Sequence, residues 1–121
     1  MTRLRVFIAG PYSNGDIYSA DMRRQNVKVA LATASQLAGM GFAPVCPHLL
    51  HFIDREYPLA DNERLEICQS WLDSSDVVLR IHGESKRSDM LCARAVEKRI
   101  KIYKSVRELR EDLCEPPGDK K

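Results

Sequence analysis

The sequence predicts an α/β fold, an open parallel sheet of about four to five strands with helices on both faces. Three observations predict it. Short apolar runs alternate with helical stretches four times along the chain. The runs are mostly continuous in their apolar character, as strands buried on both faces are. Each run is cut off by glycine, proline or a polar turn before the next helix begins. Helical crossovers make such strands parallel, and their right-handedness leaves few topologies, of which a flavodoxin-like or Rossmann-like sheet fits best.

The elements follow in order. Arg5 to Ala9, with Val6-Phe7-Ile8-Ala9 at its centre, reads as a buried strand stopped by Gly10-Pro11. A loop continues through Tyr12-Ser13-Asn14-Gly15. From about Ala20 to Met40, the stripe Val27, Leu31, Ala34, Ala38 predicts a long amphipathic helix, with Gly41 as its stop signal. Phe42 to Cys46 reads as a second strand ended by Pro47. Pro44 cannot donate to a ladder, so this strand is expected at a sheet edge. A loop carrying His48, His51 and Pro58 precedes a helix from about Asp61 to Ser74, with Leu65, Cys68 and Leu72 on one side. Asp76 to Ile81 is a third strand, broken by His82-Gly83. Ser88 to Arg99 reads as helix from the spacing of Met90, Ala93 and Val96, and Ile100 to Tyr103 as a fourth strand. Ser105-Val106-Arg107-Glu108 fits a capping box opening a last helix that ends near Cys114.

At 121 residues the chain is expected to form a single domain over residues 1–114, with residues 115–121 as a disordered polar tail. A content of 44% hydrophobic, 30% charged and 7% aromatic residues excludes a disordered, collagen-like or coiled-coil chain. No apolar run approaches the ~18 residues of a membrane span. The amino terminus runs directly into a strand with no secretory signal pattern, so a cytoplasmic protein is expected. The formal charge of +2 comes from 19 basic and 17 acidic residues that interleave, as in Arg107-Glu108-Leu109-Arg110-Glu111-Asp112, so nucleic acid is not an expected partner. Cys46, Cys68, Cys92 and Cys114 are widely spaced and read as packed thiols rather than a zinc site or disulfide framework.

In a sheet of this kind the ligand sits at the carboxyl ends of the strands. That points to three loops: Gly10 to Ile17, Pro47 to Asp54, and His82 to Asp89. The last opens a helix, whose amino terminus favours an anion, and Lys86 and Arg87 add charge there. Ser85 or Ser88 would serve equally as an ordinary helix cap. His48 and His51, three apart with Asp54 near them, lack a third ligand, so no metal and no cofactor is expected.

Taken together, Ile8-Ala9-Gly10-Pro11-Tyr12-Ser13, Gln25-Asn26-Val27, Pro47-His48-Leu49 with His51-Phe52, Trp71-Leu72, Ser75-Asp76-Val77-Val78-Leu79-Arg80 and Gly83-Glu84-Ser85 resemble the nucleoside 2-deoxyribosyltransferase-like family, which includes deoxynucleotide N-glycosidases. The resemblance runs from about Val6 to Leu109. It implies chemistry at the anomeric carbon of a nucleoside. A glutamate attacks C1′ and releases the base, an aspartate assists at the leaving base, and a serine with nearby backbone groups holds the sugar or its 5′-phosphate. Two carboxylates then flank an oxocarbenium-like transition state. From the residues and the resemblance together, the expected ligand-contacting positions are Gly10, Pro11, Tyr12, Ser13, His48, Gly83, Glu84, Ser85 and Arg87.

The chain departs from that pattern where the chemistry is done. The glutamate position, six residues after Ser85, is Leu91, and the aspartate position, eight before Asp76, is Cys68. The small residue usual two after the serine is Arg87. Asp89 and Glu66 each lie two residues from these positions, about 200° round a helix, and face elsewhere. Glu84 belongs to the Gly-Glu-Ser stretch that family members share, and remains a candidate only for a rearranged site. The expectation is therefore a protein that binds a nucleoside or nucleotide but is impaired in N-glycosidic chemistry. Its alternatives are an active N-glycosidase or deoxyribosyltransferase on nucleoside 5′-monophosphates with a rearranged carboxylate, or a structural partner subunit with an empty pocket. Phe52, Ile53 and Tyr57, apolar groups in a surface segment, point to a homodimer.

Overall fold

The computed structural model describes residues 2–13 and 18–114. Its elements are β1 (Arg5–Ala9), α1 (Ala20–Gly39), β2 (Ala43–Val45), a 3-10 turn (Pro47–Leu49), α2 (Leu50–Glu56), α3 (Asp61–Asp73), β3 (Val77–Arg80), α4 (Lys86–Glu97), β4 (Lys101–Tyr103) and α5 (Val106–Leu113). The part of the first loop at residues 14–17 and the tail at residues 115–121 lie outside the described residues.

The four strands form one all-parallel sheet in the order β2-β1-β3-β4. Val6 pairs with Pro44 and Val77, and Leu79 pairs with Ile8 and Tyr103. The α/β fold with an open parallel sheet is thus the fold of the chain. Pro44 lies on an edge strand, where a missing N–H is tolerated.

Strand residues alternate between two cores because successive side chains point to opposite faces. Val6, Ile8, Val77, Leu79 and Tyr103 pack with Ala30 and Leu37 of α1 and Leu109 of α5. Phe7, Ala9 and Val78 pack on the other face with Leu50 of α2, Cys68 and Leu72 of α3, and Leu91 and Ala95 of α4. Both faces being covered explains why the strands read as unbroken apolar runs.

Local signals set the helix ends. Ser19 Oγ accepts from Met22 N–H at 3.2 Å to open α1, and Gly41, at φ +98°, turns the chain after it. Glu63 accepts from the Ala60 N–H at 3.0 Å at the start of α3. Ser105 Oγ accepts from Glu108 N–H at 3.0 Å, while the Glu108 carboxylate reaches back to Lys104 N–H, a one-residue variant of the expected box.

Two expectations are corrected. The segment after Pro47, read as a loop, is helical: a 3-10 turn leads into α2. Pro47 occupies the first position of that turn, where its absent N–H is free of cost, and Leu50 anchors the segment in the core. Helix α4 starts at Lys86, two residues earlier than expected, because Ser85 rather than Ser88 is its cap. The stripe that predicted it is its solvent side: Met90 is 55% and Val96 66% exposed, while Ser88, Leu91 and Ala95 are buried.

Candidate functional site

The crossover after β1 runs to β2 on one side of the sheet, and the crossover after β3 runs to β4 on the other. The topology thus switches between β1 and β3, the place where a crevice forms at the carboxyl ends of the strands. Two close approaches fix the loops that bound it. A Cβ on Gly10 would lie 3.0 Å from Cβ of Ile81, and a Cβ on Gly83 would lie 2.6 Å from Cγ of Pro11. Gly83 also has φ +135°, a conformation that side chains rarely adopt.

A cavity of about 370 Å³ opens there. Gly10, Tyr12 and Ser13 line it from the loop after β1. The 3-10 turn and α2 contribute His48, Leu50, His51 and Asp54, and α3 contributes Asp61, Arg64 and Cys68. The start of α4 closes it with Ser85, Lys86, Arg87, Ser88, Met90 and Leu91. The three segments singled out in the sequence therefore all contribute to one cavity wall. Of the individual residues, Gly10, Tyr12, Ser13, His48, Ser85 and Arg87 line it, as do Cys68 and Leu91. Pro11, Gly83 and Glu84 do not line it. Pro11 and Gly83 instead pack one loop on the other, and Glu84 is exposed, its carbonyl accepting from Tyr18 Oη at 2.8 Å.

His48 is only 6% exposed. Its Nε2 lies 2.9 Å from the Pro11 carbonyl, which can only accept, so Nε2 carries the proton. Burial holds its pKa below the usual histidine value, although the carbonyls of Pro11 and Gly10 favour the charged ring. The neutral ring then presents Nδ1 as a bare acceptor, and among the described residues nothing donates to it. Tyr12 sits beside it, its ring centroid 6.3 Å from that of His48 and 5.5 Å from that of His51, with its hydroxyl 2.7 Å from His51 Nδ1. Asn26 donates to the Tyr12 carbonyl at 2.9 Å and so ties this loop to α1.

At the opposite wall Ser85 Oγ accepts from Ser88 N–H at 3.1 Å and donates to Ser88 Oγ at 2.9 Å. Ser88 Oγ in turn donates to the Gly10 carbonyl at 2.9 Å. Both hydroxyl protons are thus used in fastening α4 to the end of β1. What this end offers a ligand is the positive pole of a 12-residue helix and the guanidinium of Arg87, which forms no ion pair among the described residues. Arg64 is committed elsewhere. It donates to Asp54 at 2.7 Å, to the Leu59 carbonyl at 2.9 Å, and pairs with Asp61.

The floor is apolar. Cys68 and Leu91 are 6% and 5% exposed and belong to the core under the sheet. Burial pushes the Cys68 thiol up, against the opposing fields of Arg87 and Arg64, so it stays protonated near neutral pH and is a poor nucleophile. The carboxylates among the cavity residues, Asp54 and Asp61, are both held by Arg64. The site therefore offers a cation and a helix terminus, but no uncommitted carboxylate among the described residues to attack carbon or protonate a leaving base. Nor, among those residues, does any group of three or more histidine, cysteine or acidic side chains lie where it could hold a metal ion.

Sequence reasoning missed Asp61, Arg64 and Met90 as wall residues, since they lie outside the three segments, and named Leu50 and Ser88 only as part of a segment or as a cap. Arg64 was legible in principle, since it precedes Cys68 by four residues and shares its helix face. Leu50 was hidden by the reading of its segment as loop. No helix among the described residues is long and apolar enough to cross a membrane. No family model, curated protein or solved structure matches the chain.

Proposed function

We propose that the chain binds a nucleoside 5′-monophosphate in this cavity and leaves its N-glycosidic bond intact. One contrast carries the reading. The anchor a nucleotide's phosphate needs is present in the wall, the α4 terminus with Arg87, and the half-buried Tyr12 lines the same cavity. The two positions at which the resemblance calls for carboxylates are filled by Cys68 and Leu91 and form an apolar floor. Glu84, the candidate for a rearranged nucleophile, is absent from the lining, which argues against the catalytic alternative. A leucine in place of a carboxylate also removes repulsion toward an anionic ligand.

The protein acts in the cytoplasm in this reading, supported by four free cysteines, and as a homodimer, supported by exposed apolar side chains on α2. Incubation with each deoxynucleoside 5′-monophosphate, followed by chromatography for free base, tests it. No base above the uncatalysed background is expected, together with a rise in melting temperature on adding the nucleotide. Turnover abolished by Glu84→Gln would establish the rearranged enzyme instead. Absence of both turnover and a melting shift would leave a structural subunit with an empty pocket.

A further inference from the structure

A second cleft opens beside the main cavity and shares Tyr12, His51 and Asp54 with it. Its volume is about 340 Å³, and its remaining lining is Ala20, Arg23, Arg24 and Arg55. We propose that this cleft is a second anion subsite, built on Arg23 and Arg55, that takes a further phosphate of the nucleotide held in the main cavity. The inference rests on the nucleotide reading for the identity of the ligand, though not for the chemistry of the cleft.

The charges decide which groups matter. Arg24 is paired with Asp21 on its own helix, so its charge is largely offset. Asp54 is committed to Arg64. Arg23 donates to the Tyr18 carbonyl at 2.7 Å, which fixes the guanidinium in place without neutralising it. Arg55 is exposed on α2 and forms no ion pair among the described residues. Two guanidinium groups from different helices, one held by a backbone carbonyl, thus line a polar cleft with no carboxylate paired to either among the described residues. Arginine forks suit phosphate oxygens in this arrangement. His51 has its pKa held below the usual value by burial first, and then by the neighbouring Arg55 and Arg23, with Asp54 acting the other way. Its contact with the Tyr12 hydroxyl links the cleft to the wall of the main cavity.

The proposal predicts a ligand with two separated anionic groups. Calorimetry at fixed ionic strength would compare adenosine 5′-monophosphate with the 5′-diphosphate and the 3′,5′-bisphosphate, on the unaltered chain and on Arg55→Gln. One of the two doubly phosphorylated ligands should bind about tenfold more tightly than the monophosphate, with that advantage lost in the variant while monophosphate affinity stays the same. A base-independent arm uses inorganic pyrophosphate and the His51 ring resonances across a pH titration. An anion between the arginines should raise the His51 pKa by about half a unit in the unaltered chain, and by much less in Arg55→Gln. If pyrophosphate moves His51 and no nucleotide binds, the subsite stands and the nucleotide reading falls. If all three nucleotides bind alike and pyrophosphate leaves His51 unmoved, the subsite is overturned and the nucleotide reading stands. If nothing binds and His51 does not move, both are overturned.

Discussion

His48 donates from Nε2 to the Pro11 carbonyl at 2.9 Å, and that single bond sets the state of the buried ring in the cavity wall. It fixes the tautomer, joins the turn after β2 to the loop after β1, and leaves Nδ1 as a buried acceptor. That acceptor is closed off from the cavity surface, and an unmet buried acceptor costs the fold about 1–3 kcal/mol. His48→Phe keeps a ring of similar size but strands the Pro11 carbonyl. Removing the orphan Nδ1 offsets part of that loss, so a net destabilisation of about 1 kcal/mol in urea unfolding is expected, with weaker nucleotide binding. Unchanged affinity in a folded His48→Phe protein would remove His48 from the recognition site.

The same burial makes stability depend on pH. His48 and His51 both have folded pKa values below the ordinary 6.5, so the unfolded chain binds more protons once the pH drops under that value. Stability is therefore fully present above about pH 6.5 and declines as the pH falls through the window down to the folded values. The denaturation midpoint should fall between about pH 7 and pH 5, less steeply in His48→Phe. A midpoint that is flat over that window would contradict the assignment of a neutral buried ring.

Gly83 is required by geometry rather than by ligand contact. Its φ of +135° is unfavourable for any side chain, and a Cβ would meet Pro11 Cγ at 2.6 Å. Gly83→Ala should cost about 3 kcal/mol and lower the melting temperature by roughly 10 °C or more. A shift smaller than about 2 °C would mean the two loops separate easily and do not define the crevice.

The parts of the fold set by burial on both faces were legible in the sequence. Val6-Phe7-Ile8-Ala9 and Val77-Val78-Leu79 supply one core with every second residue and the other core with the rest, and no polar interruption blurs the reading. Helix α2 was illegible because its buried anchor among the described helix residues is Leu50 alone, while Phe52 and Ile53 are 44% and 49% exposed, so no apolar stripe marks a period. On α4 the stripe of Met90 and Val96 gave the right element with the wrong face, since the buried side includes a serine and an alanine that apolar patterning passes over. The position of the crevice followed from the ends of the strands. The commitment of Arg64 to Asp54 and Asp61 did not, because it joins α2 to α3 across a turn that the sequence did not define.

Phe52 and Ile53 on α2, and the 77%-exposed Tyr57 just after it, leave apolar area exposed among the described residues. If this face closes a homodimer, light scattering at tens of micromolar should return twice the chain mass. Ile53→Glu should then return a folded monomer. A monomeric mass for the unaltered chain would dismiss the dimer.

The floor can be tested by restoring what the resemblance calls for. Cys68→Asp combined with Leu91→Glu places two carboxylates where two buried apolar groups now stand. Stability should fall by about 2–4 kcal/mol, because charge enters a dry floor. Free base should appear from a deoxynucleoside 5′-monophosphate only in the double variant. A double variant that folds and binds nucleotide yet releases no base would show that the two missing carboxylates are not what silences the site.

The protein is expected to bind a nucleotide without cleaving it, with the phosphate as a main anchor. The most direct measurement is calorimetry of the unaltered chain with a deoxynucleoside and its 5′-monophosphate, at low and at high salt, with the recovered ligand checked for free base. The account predicts intact ligand, tighter binding of the monophosphate, and a preference that shrinks as salt rises and as Arg87→Gly removes the uncommitted guanidinium. Failure of both ligands to bind at about millimolar concentration, a floor of roughly −4 kcal/mol in binding free energy, would contradict it.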